Sequence, residues 1–148
     1  MATVFCVLRH GAYFHVSSVR QGAKRAETRS KPIPSASRIL VVEDDAPLRF
    51  VICEVLREGD LEVVEANSAD AALIYLETND RVDLVFTDVT MPGSMDGFEL
   101  ARAVTEQFPT VKLIVTSGKP PPSGLHPIPF IPKPYVVYDV LDVIRAAL

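Results

Sequence analysis

From Arg38 to Leu148, short apolar runs alternate with stretches whose apolar residues recur at helical spacing. Ile39-Leu40-Val41-Val42 is a continuous apolar run of the kind that forms a buried strand. Pro47 suits the first turn of a helix. Leu48, Val51, Ile52, Val55 and Leu56 then line one face of that helix, and Gly59 stops it. Leu61–Glu65 predicts a second strand, after which Ser68 caps a helix that turns Ala72, Leu73 and Leu76 inward. Asp83–Thr87 predicts a third strand, buried on both faces, which runs into a loop rich in Pro, Gly and Ser. Phe98, Ala101, Val104 and Phe108 mark the next helix, closed by Pro109. Val111–Thr116 predicts a fourth strand and Pro129–Pro132 a short fifth. Val137, Val140, Leu141, Ile144 and Leu148 give a C-terminal amphipathic helix.

Strands that alternate with helices build a parallel sheet covered on both faces. The expected fold is therefore α/β: a doubly wound, flavodoxin-like parallel sheet of five strands in the order 2-1-3-4-5. In that order the ends of the first and third strands lie side by side at the switch point, where open α/β sheets collect their chemistry. Glu43 and Asp44 end the first strand and Asp88 the third, so the three carboxylates meet there. A carboxylate in a buried strand is costly without a partner, and three together repel one another. A cation is needed. Oxygen-only ligation of this kind suits Mg²⁺, which takes one or two carboxylates, waters and a phosphate. The fourth strand brings Thr116 and Ser117 to the same edge and the fifth brings Lys133. A hydroxyl and an ammonium beside a metal-bound Asp88 are what a phosphoryl group on that side chain requires.

Charge divides the chain unevenly. Residues 1–37 carry six Lys or Arg against Glu27 alone, a net +5, which leaves −9 on residues 38–148 out of −4 for the whole. The acidic body argues against nucleic-acid binding by residues 38–148. Residues 1–37 read as a basic N-terminal extension and linker, a solvated tail with no assigned function. Val4–Leu8 could pair as a strand or pack on a surface, but it is short and lacks the basic lead of a secretory signal. No apolar run approaches the roughly 18–20 residues that span a bilayer. Cys6 and Cys53 are too few for a disulfide framework or a metal knuckle, and Cys53 reads as a packed thiol. A reducing, cytoplasmic location is expected.

The ordered set Val41-Val42-Glu43-Asp44-Asp45, Thr87-Asp88-Val89-Thr90-Met91-Pro92, Asp96-Gly97, Val115-Thr116-Ser117-Gly118 and Lys133-Pro134-Tyr135 resembles the receiver domain of two-component response regulators over residues 38–148. The resemblance implies that Asp88 is the phospho-acceptor, supplied by a sensor histidine kinase, a phosphotransfer protein or a small phosphodonor such as acetyl phosphate. It implies direct Mg²⁺ ligation by Asp44, Asp88 and the backbone carbonyl of Thr90, with Glu43 acting mainly through water. Lys133 would pair with the phosphoryl oxygens, and Lys133–Pro134 is a candidate cis peptide bond. Thr116 would be the hydroxyl that swings toward the phosphoryl group, and Phe130 the aromatic that changes rotamer with it. Asp45 is expected to cap the helix after the first strand, and Tyr135 and Tyr138 to serve packing. The implied function is that of a single-domain response regulator. It would signal through phosphorylation-dependent protein interaction or phosphate shuttling, with an output partner, room for a dimer, no DNA-binding domain and no membrane span. It would shed its own phosphate and not act as an enzyme on a separate substrate.

Two departures from the family pattern stand out. Ser117–Pro132 holds six prolines in 16 residues, which rules out a helix of ordinary length between the fourth and fifth strands. That helix is expected to be short or missing, which would alter the surface the family uses for output. The run Gly93-Ser94-Met95 lengthens the loop after Asp88, and Thr90 stands where a side chain would influence access of water. The alternative readings are a receiver-like interaction module that never takes phosphate, and a Mg²⁺-dependent phosphatase that forms an aspartyl-phosphate. The phosphatase pattern requires an acid at position 90, where this chain has Thr.

Overall fold

The computed structural model describes residues 36–79, 81–119 and 128–148. The readings made for residues 1–35, including the Val4–Leu8 run, Cys6 and the Pro-containing linker, lie outside the described residues. Strands β1 (Arg38–Val42), β2 (Glu62–Ala66), β3 (Leu84–Asp88), β4 (Lys112–Ser117) and β5 (Phe130–Pro132) form one sheet in the order β2-β1-β3-β4-β5. Every pairing in it is parallel, as the alternation of strands and helices requires. The helices are α1 (Ala46–Glu58), α2 (Ala69–Thr78), α3 (Gly97–Gln107) and α4 (Val137–Ala147).

Strand side chains alternate between two cores because the pleat has a period of two. Leu40, Val42, Val85, Leu113 and Val115 meet α2 and α3 on one face. Ile39, Val41, Leu84, Phe86 and Ile114 meet α1 and α4 on the other. β3 is buried at all of its positions, as befits a strand between two neighbours and under two helix layers.

β2, β3 and β4 each begin one residue later than the apolar runs predict. The residue before each belongs to the turn. Asp83, for example, accepts from the Arg38 N–H through its carboxylate at 2.7 Å, while its own N–H donates to the Arg38 carbonyl at 2.9 Å. The shift brings Asp88 inside β3, where it pairs with Thr116 of β4.

α1 departs from the predicted face at one position. Val51 is exposed and Cys53 is fully buried in its place, beside Ile52, Val55 and Leu56. At 100° per residue Val51 and Cys53 flank opposite edges of the arc that Ile52, Val55 and Leu56 define, so helical period does not separate them and the packing of α1 on its neighbours does. Burial pushes the Cys53 thiol up to about 12, so it stays protonated as a packed side chain. Asp45 caps the helix by accepting from the Leu48 N–H at 2.9 Å.

Gly59 ends α1, though not through a left-handed turn: its φ is −81°, and Asp60 takes the positive φ of 60°. Its small size serves packing, because a Cβ there would stand 2.7 Å from Leu141 of α4. α2 is capped by Ser68 as predicted, and Ala72 and Leu76 are buried with Leu73 packed beside them.

α3 buries Leu100 between Ala101 and Val104, while Phe98 and Phe108 are only half-buried at its ends. Its N-terminus is a capping box. Asp96 accepts from the Phe98 and Glu99 N–H groups at 2.9 Å, and the Glu99 carboxylate accepts from the Asp96 N–H at 2.9 Å. Replacing Asp96 by Ala is expected to lower stability by about 1 kcal/mol, read as a shift of the urea midpoint at unchanged slope.

α4 turns Val140, Leu141 and Ile144 inward, but Leu148 is its exposed C-cap instead of part of the core. Tyr138 is also exposed, a correction to its expected packing role, because it lies opposite the buried stripe of α4. No helix lies between β4 and β5 among the described residues, and residues 120–127, where one would fall, lie outside them.

Candidate functional site

The C-terminal ends of β1, β3, β4 and β5 converge at one edge of the sheet. Register does most of the placing: Val42 pairs with Thr87, Asp88 with Thr116, and Ser117 with Pro132, so Lys133 follows directly at the mouth. The Lys133 N–H holds the Ser117 carbonyl at 2.9 Å, and the Lys133–Pro134 bond is cis, as its sequence suggested.

Lys133 Nζ lies 2.8 Å from Asp88 Oδ2 and 3.0 Å from Glu43 Oε2, bridging two buried carboxylates. The other oxygen of Asp88 accepts from the Val89 N–H at 2.7 Å, and Glu43 Oε1 accepts from the Asp45 N–H at 3.3 Å. Asp44 is exposed at the rim of the same group. Carboxylate oxygens of Glu43, Asp44 and Asp88 all lie within 4.8 Å of one another, close enough for one ion. The donor set is hard oxygen throughout, one member is open to solvent, and Lys133 balances only part of the charge. These residues fit a divalent cation such as Mg²⁺. The expectation that three carboxylates meet at the switch point is thus met in geometry.

Burial pushes the Glu43 carboxyl above its ordinary range, and the hydrogen bond and charge of Lys133 oppose this without cancelling it. Burial pulls Lys133 down, but its bonds to Asp88 and Glu43 outweigh that and raise it on balance. Lys133 is therefore charged across the neutral range, and its pairing stabilises the fold until the pH rises through its elevated value. Glu43, raised in the fold, favours the folded state at low pH and loses that contribution as the pH rises through its folded value.

Lys133→Met leaves Glu43 and Asp88 without their common counter-ion. At pH 8 the variant is expected to be less stable than the wild type by about 2 kcal/mol, discounted for the partial exposure of Lys133. The deficit is expected to be smaller at pH 5, because lowering the pH moves the raised Glu43 carboxyl toward its protonated form. Urea titrations at the two pH values check it, and an equal deficit at both would contradict the ion-pair account.

The other sequence-derived residues divide in their placement. Thr116 is fully buried at the end of β4, on the register of Asp88, and Ser117 beside it is also buried. Thr90 is exposed on the loop after Asp88. Phe130 is half-buried and packs with the α2/α3 core. The long loop after Asp88 is tied to the first turn of α2, where the Ser94 hydroxyl donates to Asp70. That bond is the main reason the Asp70 carboxyl sits below its usual range.

Arg49 carries no sequence signal, and Tyr135 is the packing residue the sequence predicts. Arg49, one helical turn into α1, holds the Glu43 backbone carbonyl at 2.7 Å through Nη1. Tyr135 packs edge-on against Phe86 with ring centroids 6.4 Å apart, while its hydroxyl is buried. No described helix is long and apolar enough to cross a membrane.

A family model described as "Response regulator receiver domain" matches residues 39–123. The heme response regulator HssR of Staphylococcus saprophyticus is 31% identical over 114 residues, 74% of this chain and 50% of that protein. The response regulator receiver protein CpdR of Brucella abortus is 29% identical over 117 residues, 75% of this chain and 96% of that protein. Among solved structures, the CheY-like receiver domain protein of Methanospirillum hungatei JF-1 superimposes with a TM-score of 0.68. It is 28% identical, and the match covers 76% of this chain and 93% of that one. The chain spans half the length of HssR and smaller shares of other relatives it matches. With a parallel sheet of the same order and an acidic mouth closed by a lysine, this chain belongs to the response regulator receiver domain family.

Proposed function

We propose that the protein is a response regulator whose receiver domain accepts a phosphoryl group on Asp88 from a phosphohistidine of a sensor kinase or phosphotransfer protein. One observation carries the reading: the buried Asp88 carboxylate is held between the Val89 N–H and the Lys133 ammonium, with Glu43 and Asp44 alongside. An oxygen of Asp88 attacks phosphorus as the P–N bond to the donor imidazole breaks, and the imidazole departs with that bonding pair. Glu43, Asp44, Asp88 and the Thr90 carbonyl would hold Mg²⁺, with Glu43 engaging it through water. When bound, the ion offsets the charge that gathers on the transferring group. Lys133 stays within reach of the phosphoryl oxygens and keeps Asp88 oriented, and the Thr116 hydroxyl donates to one of them.

Phosphorylation favours the conformer in which Thr116 makes that bond and Phe130 shifts with it, a change of population between two states. Output then follows as a phosphorylation-dependent protein contact or as onward transfer of the phosphate. Hydrolysis of its own acyl phosphate would be the only turnover. Intact-mass spectrometry after incubation with acetyl phosphate and Mg²⁺ tests this reading. One added phosphoryl group, released by hydroxylamine, is expected. No adduct, together with no binding of beryllofluoride, would instead favour an interaction module that takes no phosphate.

A further inference from the structure

Two hydroxyls beside Asp88 stand outside the ion-pair network. Thr116 Oγ1 and the Tyr135 phenol are both closed to solvent, and neither has a hydrogen-bond partner among the described residues. A buried hydroxyl without a partner lowers stability, so two of them at one site call for a physical reason.

They share one side of the sheet. Thr116 follows Ile114 by two residues, and Ile114 belongs to the α1/α4 core, as does Phe86, on which the Tyr135 ring packs. Thr116 lies close enough to the Tyr135 phenol for its hydroxyl to act on it, opposing burial as the Lys133 charge does, while the Glu43 and Asp88 charges act with burial. Burial raises the phenol above its ordinary range, so it keeps its proton and is available as a donor. Phe130 packs with the opposite core.

We propose that Tyr135 is a positioning residue for Thr116: its O–H donates to Thr116 Oγ1 when the Thr116 proton turns to a phosphoryl oxygen on Asp88. A threonine hydroxyl carries one proton and two lone pairs, so it donates to the phosphoryl group and accepts from Tyr135 at once. Loading draws the Thr116 proton to the phosphoryl oxygen and leaves the Thr116 lone pairs to accept from the Tyr135 O–H. The paired donors polarise each other and favour the loaded conformer. The inference rests on Asp88 being the phospho-acceptor.

The test uses Mg²⁺ with beryllofluoride, which stands in for the phosphoryl group. Binding is measured calorimetrically on the full chain for wild type, Tyr135→Phe, Thr116→Val and the double variant, with thermal melts of each unloaded protein. Tyr135→Phe keeps the ring against Phe86 and removes only the hydroxyl. It is expected to bind roughly five-fold more weakly while the unloaded Tm holds or rises, because an orphan hydroxyl has been deleted. In the Thr116→Val background the second change adds no further loss. Unchanged affinity in Tyr135→Phe overturns the proposal, as does an equal loss in the Thr116→Val background or a fall in the unloaded Tm. Wild type that binds no beryllofluoride overturns the phospho-acceptor reading itself, and this inference with it.

Discussion

Incubated with acetyl phosphate and Mg²⁺, the wild type gains one phosphoryl group and Asp88→Asn gains none. The loss is expected to be complete because an amide is a poor nucleophile and the remaining carboxylates are badly placed to replace it. Glu43 is almost wholly buried, with one oxygen on Lys133 and the other on the Asp45 N–H. Asp44 is exposed, and it makes no side-chain bond that would hold it in line with a donor, among the described residues. The fold should survive the change. The amide oxygen of the Asp88→Asn variant still accepts from the Val89 N–H, and Lys133 still has Glu43, so a stability change within about 2 kcal/mol is expected. A phosphoryl adduct that persisted in folded Asp88→Asn would place the acceptor elsewhere and remove the central residue of the proposed function.

Gly97→Ala is expected to be the most damaging single methyl in the domain. A Cβ at position 97 would fall 1.9 Å from the Asp88 carbonyl oxygen, 2.7 Å from Val89 Cα and 2.8 Å from the Asp88 carbonyl carbon. All three are backbone atoms at the end of β3 around Asp88, so no flexible side chain can yield. To make room, the start of α3 must leave β3, breaking the Gly97 N–H bond to the Val89 carbonyl at 3.0 Å and straining the Asp96 capping box. Overpacking against backbone should cost about 3 kcal/mol or more. Urea denaturation measures it, and a loss below about 1 kcal/mol would mean that the helix start moves freely. Phosphoryl uptake should fall with stability, since Asp88 is on the displaced backbone. Gly59 offers the internal contrast: an added Cβ there meets only the side chains of Leu141 and Arg145, which can move.

Much of this was legible along the chain because local rules and global fold agree. The alternation of apolar runs with helical periodicity led to the strand order, and the order alone brought Glu43, Asp44 and Asp88 to one edge. Asp45 and Ser68 were readable as caps from residue type and position. The errors are equally instructive. β2, β3 and β4 each lie one residue downstream because an apolar or acidic flank looks like strand until its long-range partner is known, as Asp83 shows with Arg38. Val51 and Cys53 exchanged places because two apolar residues at opposite margins of a helix face are separated only by how α1 lies against the sheet and α4.

The architecture, the acidic mouth and the lysine that closes it follow from the order of residues alone, because hydrophobic period, capping chemistry and the order of strand ends are local or topological properties. That Lys133 bridges Glu43 and Asp88, that Arg49 holds the Glu43 carbonyl, and that Asp70 ties down the loop after Asp88 came from packing in three dimensions. It alone also revealed why Gly97 must be small and that the Tyr135 hydroxyl is buried without a partner near Thr116. Each of these depends on distances of a few ångströms between residues far apart in the chain, set by how helices and sheet pack and by no rule that acts along the sequence.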